Sequence, residues 1–326
     1  MLNLESILLH NYTFLQKALH RLALSSNIFK EICFDLEKIL FYESKNITDN
    51  VFITGLARSG TTTLLNALYK SNKYCSLTYQ DMPFILSPNL WSKLYKSTFP
   101  ISENERAHGD GIKINNQSPE AFEEVFWQIF QNDDNLNDYK KYVSLICKKY
   151  KKNHYLCKNN QNIKRIEKIL KCYPNSKVII PFRDPLQHAN SLFFQHKKFI
   201  ELQKEDKFIR NYMFWIGHRE FGIDYKPFKI NGLKFCDINN FNHWIEQWYL
   251  SYEFLSNYKG LNNVKFICYE DLCNNDETWN KLLNFLGIDK KIIFNFKESK
   301  KNITSTFNKR LLEDCNNIYM ELKREF

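Results

Sequence analysis

Three stretches carry residue types that could do chemistry on a phosphorylated ligand. The first, Gly55-Leu-Ala-Arg-Ser-Gly-Thr-Thr62, follows the β-branched and aromatic run Val51-Phe-Ile-Thr54. Glycines let a backbone approach an anion closely. The N–H groups at a helix start, around Ser59, Gly60, Thr61 and Thr62, would point at it with the helix dipole behind them. The Gly-x-x-x-x-Gly spacing is that of a nucleoside-triphosphate loop, but Thr61 stands where that loop needs Lys, and the cation sits earlier, at Arg58. Magnesium-dependent ATP hydrolysis is therefore a poor fit. The second stretch, Lys177-Val-Ile-Ile-Pro-Phe-Arg-Asp-Pro185, reads as a strand ending in Arg183, with Pro185 placed to open a helix. Ser191 would lie one to two turns into that helix. Arg offers a planar fork to phosphate oxygens and Ser a neutral donor. Taken alone, Arg183 paired with Asp184 or another carboxylate is a sufficient account. The third stretch, Val264-Lys-Phe-Ile-Cys-Tyr-Glu-Asp-Leu272, is a strand running into Tyr269, followed by a helix with a stop at Phe285-Leu-Gly-Ile288.

These residues need a scaffold, and the sequence outlines one. Strand-like runs fall at 51–54, 74–79, 154–157, 177–182 and 264–268, and helical periodicity at 118–130, 163–172, 186–202, 241–257 and 277–286. Strands alternating with helices predict an α/β fold of the phosphate-loop type, with a parallel sheet flanked by helices on both faces. Residues 1–48 read as a helical N-terminal extension packed on the core, with apolar residues three and four apart (Leu15, Leu19, Leu22; then Ile32, Phe34, Leu36, Ile39, Leu40). Residues 49–326 form the principal domain.

The chain of 326 residues is 44% hydrophobic and 25% charged, enough for one large core. No apolar run approaches the roughly 18–20 residues that span a bilayer. The N-terminus lacks the basic start and long apolar stretch of a secretory signal. Nine cysteines without a Cys-x-x-Cys fit reduced thiols of a cytoplasmic protein better than a disulfide framework or a zinc site. A net charge of +10 favours an anionic partner, whether nucleic acid, membrane, acidic polymer or phosphorylated cofactor. A Lys-rich composition produces the same number, and the densest run, residues 148–152, suits a solvated helix end.

Arg-Ser-Gly-Thr-Thr after a strand, Arg183 with Ser191 eight positions on, and the late Tyr-Glu-Asp-Leu to Phe-Leu-Gly unit occur here in the order found in sulfotransferases that use 3′-phosphoadenosine 5′-phosphosulfate (PAPS). The resemblance spans roughly residues 51–290 and is to the bacterial branch with an Arg-type loop. It implies sulfuryl transfer from PAPS to an acceptor hydroxyl, without a metal. It also implies that Arg58 and the loop residues Ser59, Gly60, Thr61 and Thr62 hold the phosphosulfate, while Arg183 and Ser191 hold the 3′-phosphate and Tyr269 lies nearby. Arg58 and the loop N–H groups would stabilise the leaving phosphate oxygen. Asp81-Met-Pro-Phe84, Arg106-Ala-His-Gly-Asp-Gly111, Lys158-Asn-Asn160 and Trp215-Ile-Gly-His218 look like the same branch. The chain departs from the animal enzymes in lacking their Lys-x-His and an Arg-Lys-Gly segment near the C-terminus; Lys309 and Arg310 are weak substitutes.

The acceptor hydroxyl needs a general base. Asp81 lies where related protein-tyrosine and heparan enzymes place a Glu, although the tyrosine enzymes' Glu would align with Tyr79. His108, flanked by Arg106 and Asp110, is the other candidate. A helix or turn cap is the plainer reading of Asp81, and an idle loop position that of His108. Glu120, Glu123 and Glu124 suit the acidic first turn of a helix, and His196 a packing role. A carbohydrate or glycolipid acceptor is preferred over a small alcohol, phenol or peptidyl tyrosine. The alternatives are a nucleotide or sugar kinase, which Thr61 disfavours, and a non-catalytic nucleic-acid-binding protein, which steep salt-dependent binding would reveal.

Overall fold

The computed structural model describes residues 12–95, 104–105, 113–131, 136–228, 232–289 and 292–325. Helices α1 (Phe14–Ser25) and α2 (Asn27–Phe41) precede strand β1 (Val51–Ile53) and helix α3 (Thr61–Tyr69). Next come α4 (Pro88–Leu94), the short strands β2 (Asn104–Glu105) and β3 (Lys113–Ile114), α5 (Glu124–Trp127), α6 (Leu136–Tyr150) and β4 (Leu156–Lys158). The second half runs α7 (Ile166–Cys172), β5 (Lys177–Phe182), α8 (Pro185–Glu205), α9 (Lys207–Trp215) and α10 (Phe241–Ser256). It closes with β6 (Val264–Cys268), α11 (Tyr269–Asn274), α12 (Asp276–Phe285) and α13 (Lys309–Leu322).

The main sheet has the order β4-β1-β5-β6, and every pairing in it is parallel. Val51 pairs with Leu156 on one side and Lys177 on the other, and Phe182 pairs with Cys268. Its strands are nearly continuous apolar runs because both faces are covered. Alternate residues divide between two cores. Val51, Ile53 and Ile179 pack with Leu64, Leu65 and Leu68 of α3 and Leu282 and Leu283 of α12. Phe52, Val178 and Ile180 pack toward α6, α8 and α10, where Trp244, Trp248 and Tyr252 are buried. The expected α/β architecture with helices on both faces is what the chain adopts. No helix of the described residues is long and apolar enough to cross a membrane.

Three expected elements change character. Residues 74–79 make only isolated bridges, Cys75 to Tyr155 and Thr78 to Pro119, and residues 79–81 form a 3-10 turn. Thr78 and Asp81 cap one another reciprocally there, which gives the backbone a local alternative to a ladder. The helix expected over 118–130 contracts to α5, and the one over 163–172 begins as a 3-10 turn at 160–165. At the N-terminus both helices are present, but Leu15, Leu22, Ile32, Leu36, Ile39 and Leu40 face outward. The packing face instead carries Ala23, Leu24, Phe34 and Phe41, plus Glu37, which accepts from the Asn89 and Leu90 backbone at 2.8 and 2.9 Å.

Candidate functional site

Ligands of open parallel sheets bind outside the carboxyl ends of the strands. Here those ends deliver Gly55–Gly60 after β1, Lys158–Asn160 after β4, Arg183 after β5 and Tyr269 after β6. A cavity of about 1310 Å³ opens over them, lined among others by Arg58, Gly60, Thr61, Thr62, Arg183, Ser191 and Tyr269.

The loop after β1 is held in an unusual shape. Arg58 has φ +71°, a left-handed conformation that costs roughly 1–2 kcal/mol for a residue with a side chain. His188 of α8 contacts the Ala57 carbonyl through Nε2 at 2.7 Å, and Arg183 Nη1 donates to the Arg58 carbonyl at 3.5 Å. Burial, and then the charge of Arg183, pushes His188 down to about 3, so the ring is neutral and Nε2–H is the donor. Gly60 has φ +95°, and a Cβ there would stand 2.3 Å from the Tyr269 ring, so the loop can pass under that ring only as glycine. Ser59 departs from expectation. Its hydroxyl donates to the Leu56 carbonyl at 2.8 Å, its N–H bonds the same oxygen at 3.3 Å, and it does not line the cavity. Its place is inside the loop. The first intrahelical bond of α3 runs from Leu64 N–H to the Gly60 carbonyl, so the helix start presents its early N–H groups to the cavity.

Asp184 caps α8 by accepting from Gln187 N–H at 2.8 Å, and Pro185 occupies the first turn, which fixes Arg183 at the strand–helix junction. The Arg183 side chain is nearly buried. Nη2 donates to the Ser299 carbonyl at 3.0 Å, while Nε, 3.9 Å from Glu270 Oε1, makes no hydrogen bond with the described residues. A buried, unbonded guanidinium N–H at a cavity wall suits an anion. Arg58 Nε donates to Ser191 Oγ at 3.2 Å. The two cationic groups expected at opposite ends of a ligand therefore adjoin in one lobe.

Two further features were given no role from the sequence. His218, just after α9, lines the cavity, and its Nδ1 lies 2.9 Å from Glu220 Oε2. Burial alone would raise the Glu220 carboxyl, but the charge and contact of His218 and the charge of Lys158 outweigh it and hold it at about 2. Glu220 Oε1 accepts from Asn160 Nδ2 at 3.1 Å, and Thr61 Oγ1 donates to Asn160 Oδ1 at 3.3 Å. A chain of contacts thus joins the phosphate loop to His218. The available signal was His-x-Glu directly after Gly217, whose φ is +76° and against which Glu124 packs. The second feature is the segment 297–301. Lys297, Ser299 and Lys301 line the cavity, and Gln187 exchanges two bonds with the Lys301 backbone, at 3.0 and 2.9 Å. Lys309 and Arg310, by contrast, are exposed on the first turn of α13 and stay out of the cavity.

Asp81, a candidate base, stands away from the cavity among capping contacts. It is fully buried and absent from the cavity lining. Oδ1 pairs with Lys149, and Oδ2 accepts from Thr78 N–H at 2.7 Å and Tyr150 OH at 2.7 Å. His108 lies outside the described residues. Lys158 and Asn160 line the cavity, whereas Asn159 caps the turn that follows β4, accepting from Gln161 N–H at 3.0 Å. Among the described residues no group of three His, Cys, Asp or Glu could hold a metal ion.

Residues 50–217 match the model of the sulfotransferase family. No curated protein matches the sequence. Among solved structures, the fold is similar to that of sulfotransferase STF1 from Mycobacterium tuberculosis, with a TM-score of 0.50 and 12% identity over 96% of this chain and 86% of that one. Sulfotransferase STF9 from Mycobacterium avium gives 0.45 and 12% over 96% and 79%. A sulfotransferase from Alicyclobacillus acidocaldarius gives 0.38 and 14% over 84% and 94%.

Proposed function

The chain belongs to the sulfotransferase family, and from that premise we propose that it transfers the sulfuryl group of PAPS to an acceptor hydroxyl, in line, with His218 as general base. The observation that carries this reading is that Arg58, the start of α3, and Arg183 with Ser191 all open on one cavity at the carboxyl edge of the sheet. The cavity exceeds the roughly 300–1,000 Å³ typical of a single small-ligand site, which suits donor and acceptor together.

In the transfer, the bond from sulfur to the 5′-phosphate oxygen breaks as a bond from sulfur to the acceptor oxygen forms. The N–H groups of Gly60 to Thr62 and the Arg58 guanidinium face the leaving phosphate, where negative charge grows. Arg183, with its unbonded Nε, and Ser191 hold the 3′-phosphate. The acceptor proton goes to His218. Glu220 Oε2, 2.9 Å from Nδ1, sets its negative charge beside the ring and stabilises the imidazolium that forms, leaving Nε2 to take the proton. Glu220 stays ionised throughout neutral pH, as that role requires.

The test is transfer of labelled sulfate from PAPS to a panel of saccharide hydroxyls, with calorimetry of 3′-phosphoadenosine 5′-phosphate (PAP). His218→Ala is expected to lower kcat about 10²-fold or more while the PAP affinity stays within twofold. A protein that does not bind PAP would sink the reading. Full turnover in the His218 variant would remove the assigned base.

A further inference from the structure

We propose that Cys75 and Cys147 form a reversible disulfide, and that this bond clamps the segment from which one wall of the cavity hangs. The two sulfurs stand 3.1 Å apart, although 72 positions separate the residues in sequence. Closing to the roughly 2.05 Å of a disulfide asks each sulfur to move about half an ångström. Both side chains are buried. Cys147 sits in the last turn of α6. Cys75 belongs to the isolated bridge beside β4, donating its N–H to the His154 carbonyl and accepting from Leu156 N–H, each at 2.8 Å. The bond would thus tie the edge of the sheet to a helix that packs over it.

The cavity wall is hung from the residues that follow. Glu120 N–H donates to the Leu77 carbonyl at 3.1 Å, Tyr79 N–H to the Ser118 carbonyl at 3.3 Å and Gln80 N–H to the Asn116 carbonyl at 2.9 Å. The stretch they hold includes Asn115, Gln117, Ser118 and Pro119, which line the cavity. Tyr150, three residues beyond Cys147, meets Thr78 Oγ1 at 2.9 Å, so α6 already touches this segment at a second point.

Burial, and then contact with the Cys147 sulfur, pushes the Cys75 thiol well above its usual range, so it stays protonated while the fold is closed. Only a thiolate attacks a disulfide. Exchange therefore waits for residues 74–78, held by single bridges and not by a ladder, to lift from α6. The co-reactant is a small disulfide such as oxidised glutathione. One cysteine thiolate attacks it, its S–S bond breaks and one glutathione thiolate leaves. The second cysteine thiolate then attacks the cysteine sulfur of the mixed disulfide and expels the other glutathione. Two protein thiols are oxidised, one glutathione disulfide is reduced to two thiols, and the two protons pass to the departing thiolates.

The test equilibrates the full chain in glutathione buffers from reducing to oxidising, blocks the remaining thiols and maps cross-linked peptides by mass spectrometry. A Cys75–Cys147 cross-link is expected, formed over minutes to hours, reversed by reduced glutathione, and formed about threefold faster or more in about 1 M urea, which favours opening. The oxidised protein is expected to melt about 5 °C higher, because the bond closes a long loop of the unfolded chain. Hydrogen exchange of the Leu156, Gln80 and Glu120 amides should slow about tenfold on oxidation, and Cys147→Ala should abolish both effects. Absence of the cross-link at equilibrium in the most oxidising buffer overturns the proposal, as does a cross-link that lowers the melting temperature. Protection gained at Leu156 but not at Gln80 and Glu120 overturns the link to the cavity wall. Should Cys147→Ala fail to fold, the peptide map and amide exchange of the parent still decide. These readouts need no PAPS, so their failure leaves the sulfotransferase reading untouched.

Discussion

Arg183 is the residue whose removal says most. It is nearly buried at the end of β5, and its Nε is the one guanidinium nitrogen that makes no hydrogen bond with the described residues while Nη1 and Nη2 hold the Arg58 and Ser299 carbonyls. If it holds the 3′-phosphate, Arg183→Ala removes at least one charge-assisted bond and a cation beside a dianion. Such bonds contribute about 1.5–3 kcal/mol each, so the loss is about 3 kcal/mol, roughly a hundredfold in Kd for PAP. The substitution also loosens the two carbonyls. Adenosine 5′-monophosphate, which lacks only the 3′-phosphate, corrects for that, because any loss from a slack loop is common to both ligands. Calorimetry with both nucleotides on parent, Arg183→Ala and Arg183→Lys protein closes the cycle. The monophosphate should weaken by no more than about threefold, and Lys, which keeps charge but loses the fork, should fall between for PAP. Equal weakening of both nucleotides would show that Arg183 supports the loop without reading the 3′-phosphate, and the assignment would fail.

Two further outcomes follow from buried groups. Asp81→Asn should destabilise the fold by about 2–4 kcal/mol in urea melts, since it breaks the buried pairing with Lys149, while kcat of the folded enzyme stays within twofold; a lost kcat at unchanged stability would restore Asp81 as the base. His188 is held down to about 3 by burial and the Arg183 charge, whereas in the unfolded chain it titrates near 6.5. Between those values the unfolded state binds a proton that the native state does not, so stability falls with pH, by about 2 kcal/mol from this group on going from pH 6.5 to 5. His196, pushed to about 4 by burial, adds in the same direction. Urea midpoints measured from pH 7.5 to 5 should show the decline, and His188→Gln should flatten it; an unchanged slope would mean that the ring is protonated in the fold.

The parts of the site that were legible are those written within one strand–turn–helix unit. Arg58, Gly60 and Thr61, and likewise Arg183 and Ser191, owe their positions to local geometry: a strand end, a turn and the first turns of a helix. At Asp81 the plainer of the two readings, a cap, is the one the Thr78-x-x-Asp81 capping box displays, and that spacing was obscured because it follows what looked like a strand. His218 was noted within Trp215-Ile-Gly-His218 but without a role, and Glu220 not at all, because both stand on irregular backbone. Their pairing has meaning only once Asn160, from another strand end, and Lys158 are brought beside them. The lysines of 297–301 were invisible for the same reason, since only the bonds from Gln187 place that segment over the cavity. At the N-terminus the helical period was readable, but the face that packs was not. Apolar rows occur on both sides of α2, and Glu37, not a leucine, marks the buried one.

The arrangement also explains why a strained loop is tolerated here. Arg58 could relax from φ +71° only by giving up the Arg183 contact with its carbonyl and withdrawing its side chain from Ser191. His188 pins the preceding carbonyl from the helix that carries Ser191. A cost of roughly 1–2 kcal/mol at one residue is thus opposed by several bonds that all originate in α8 or at its first-turn junction with β5. The same junction orients Arg183. Loop shape and guanidinium direction are therefore set by one rigid element, and through Thr61 and Asn160 the constraint extends to Glu220 and His218. A donor bound between the loop and α8 would meet the proposed base, His218, on a turn tied through Glu220 and Asn160 to the end of β4. In-line transfer gains most from such prepaid orientation.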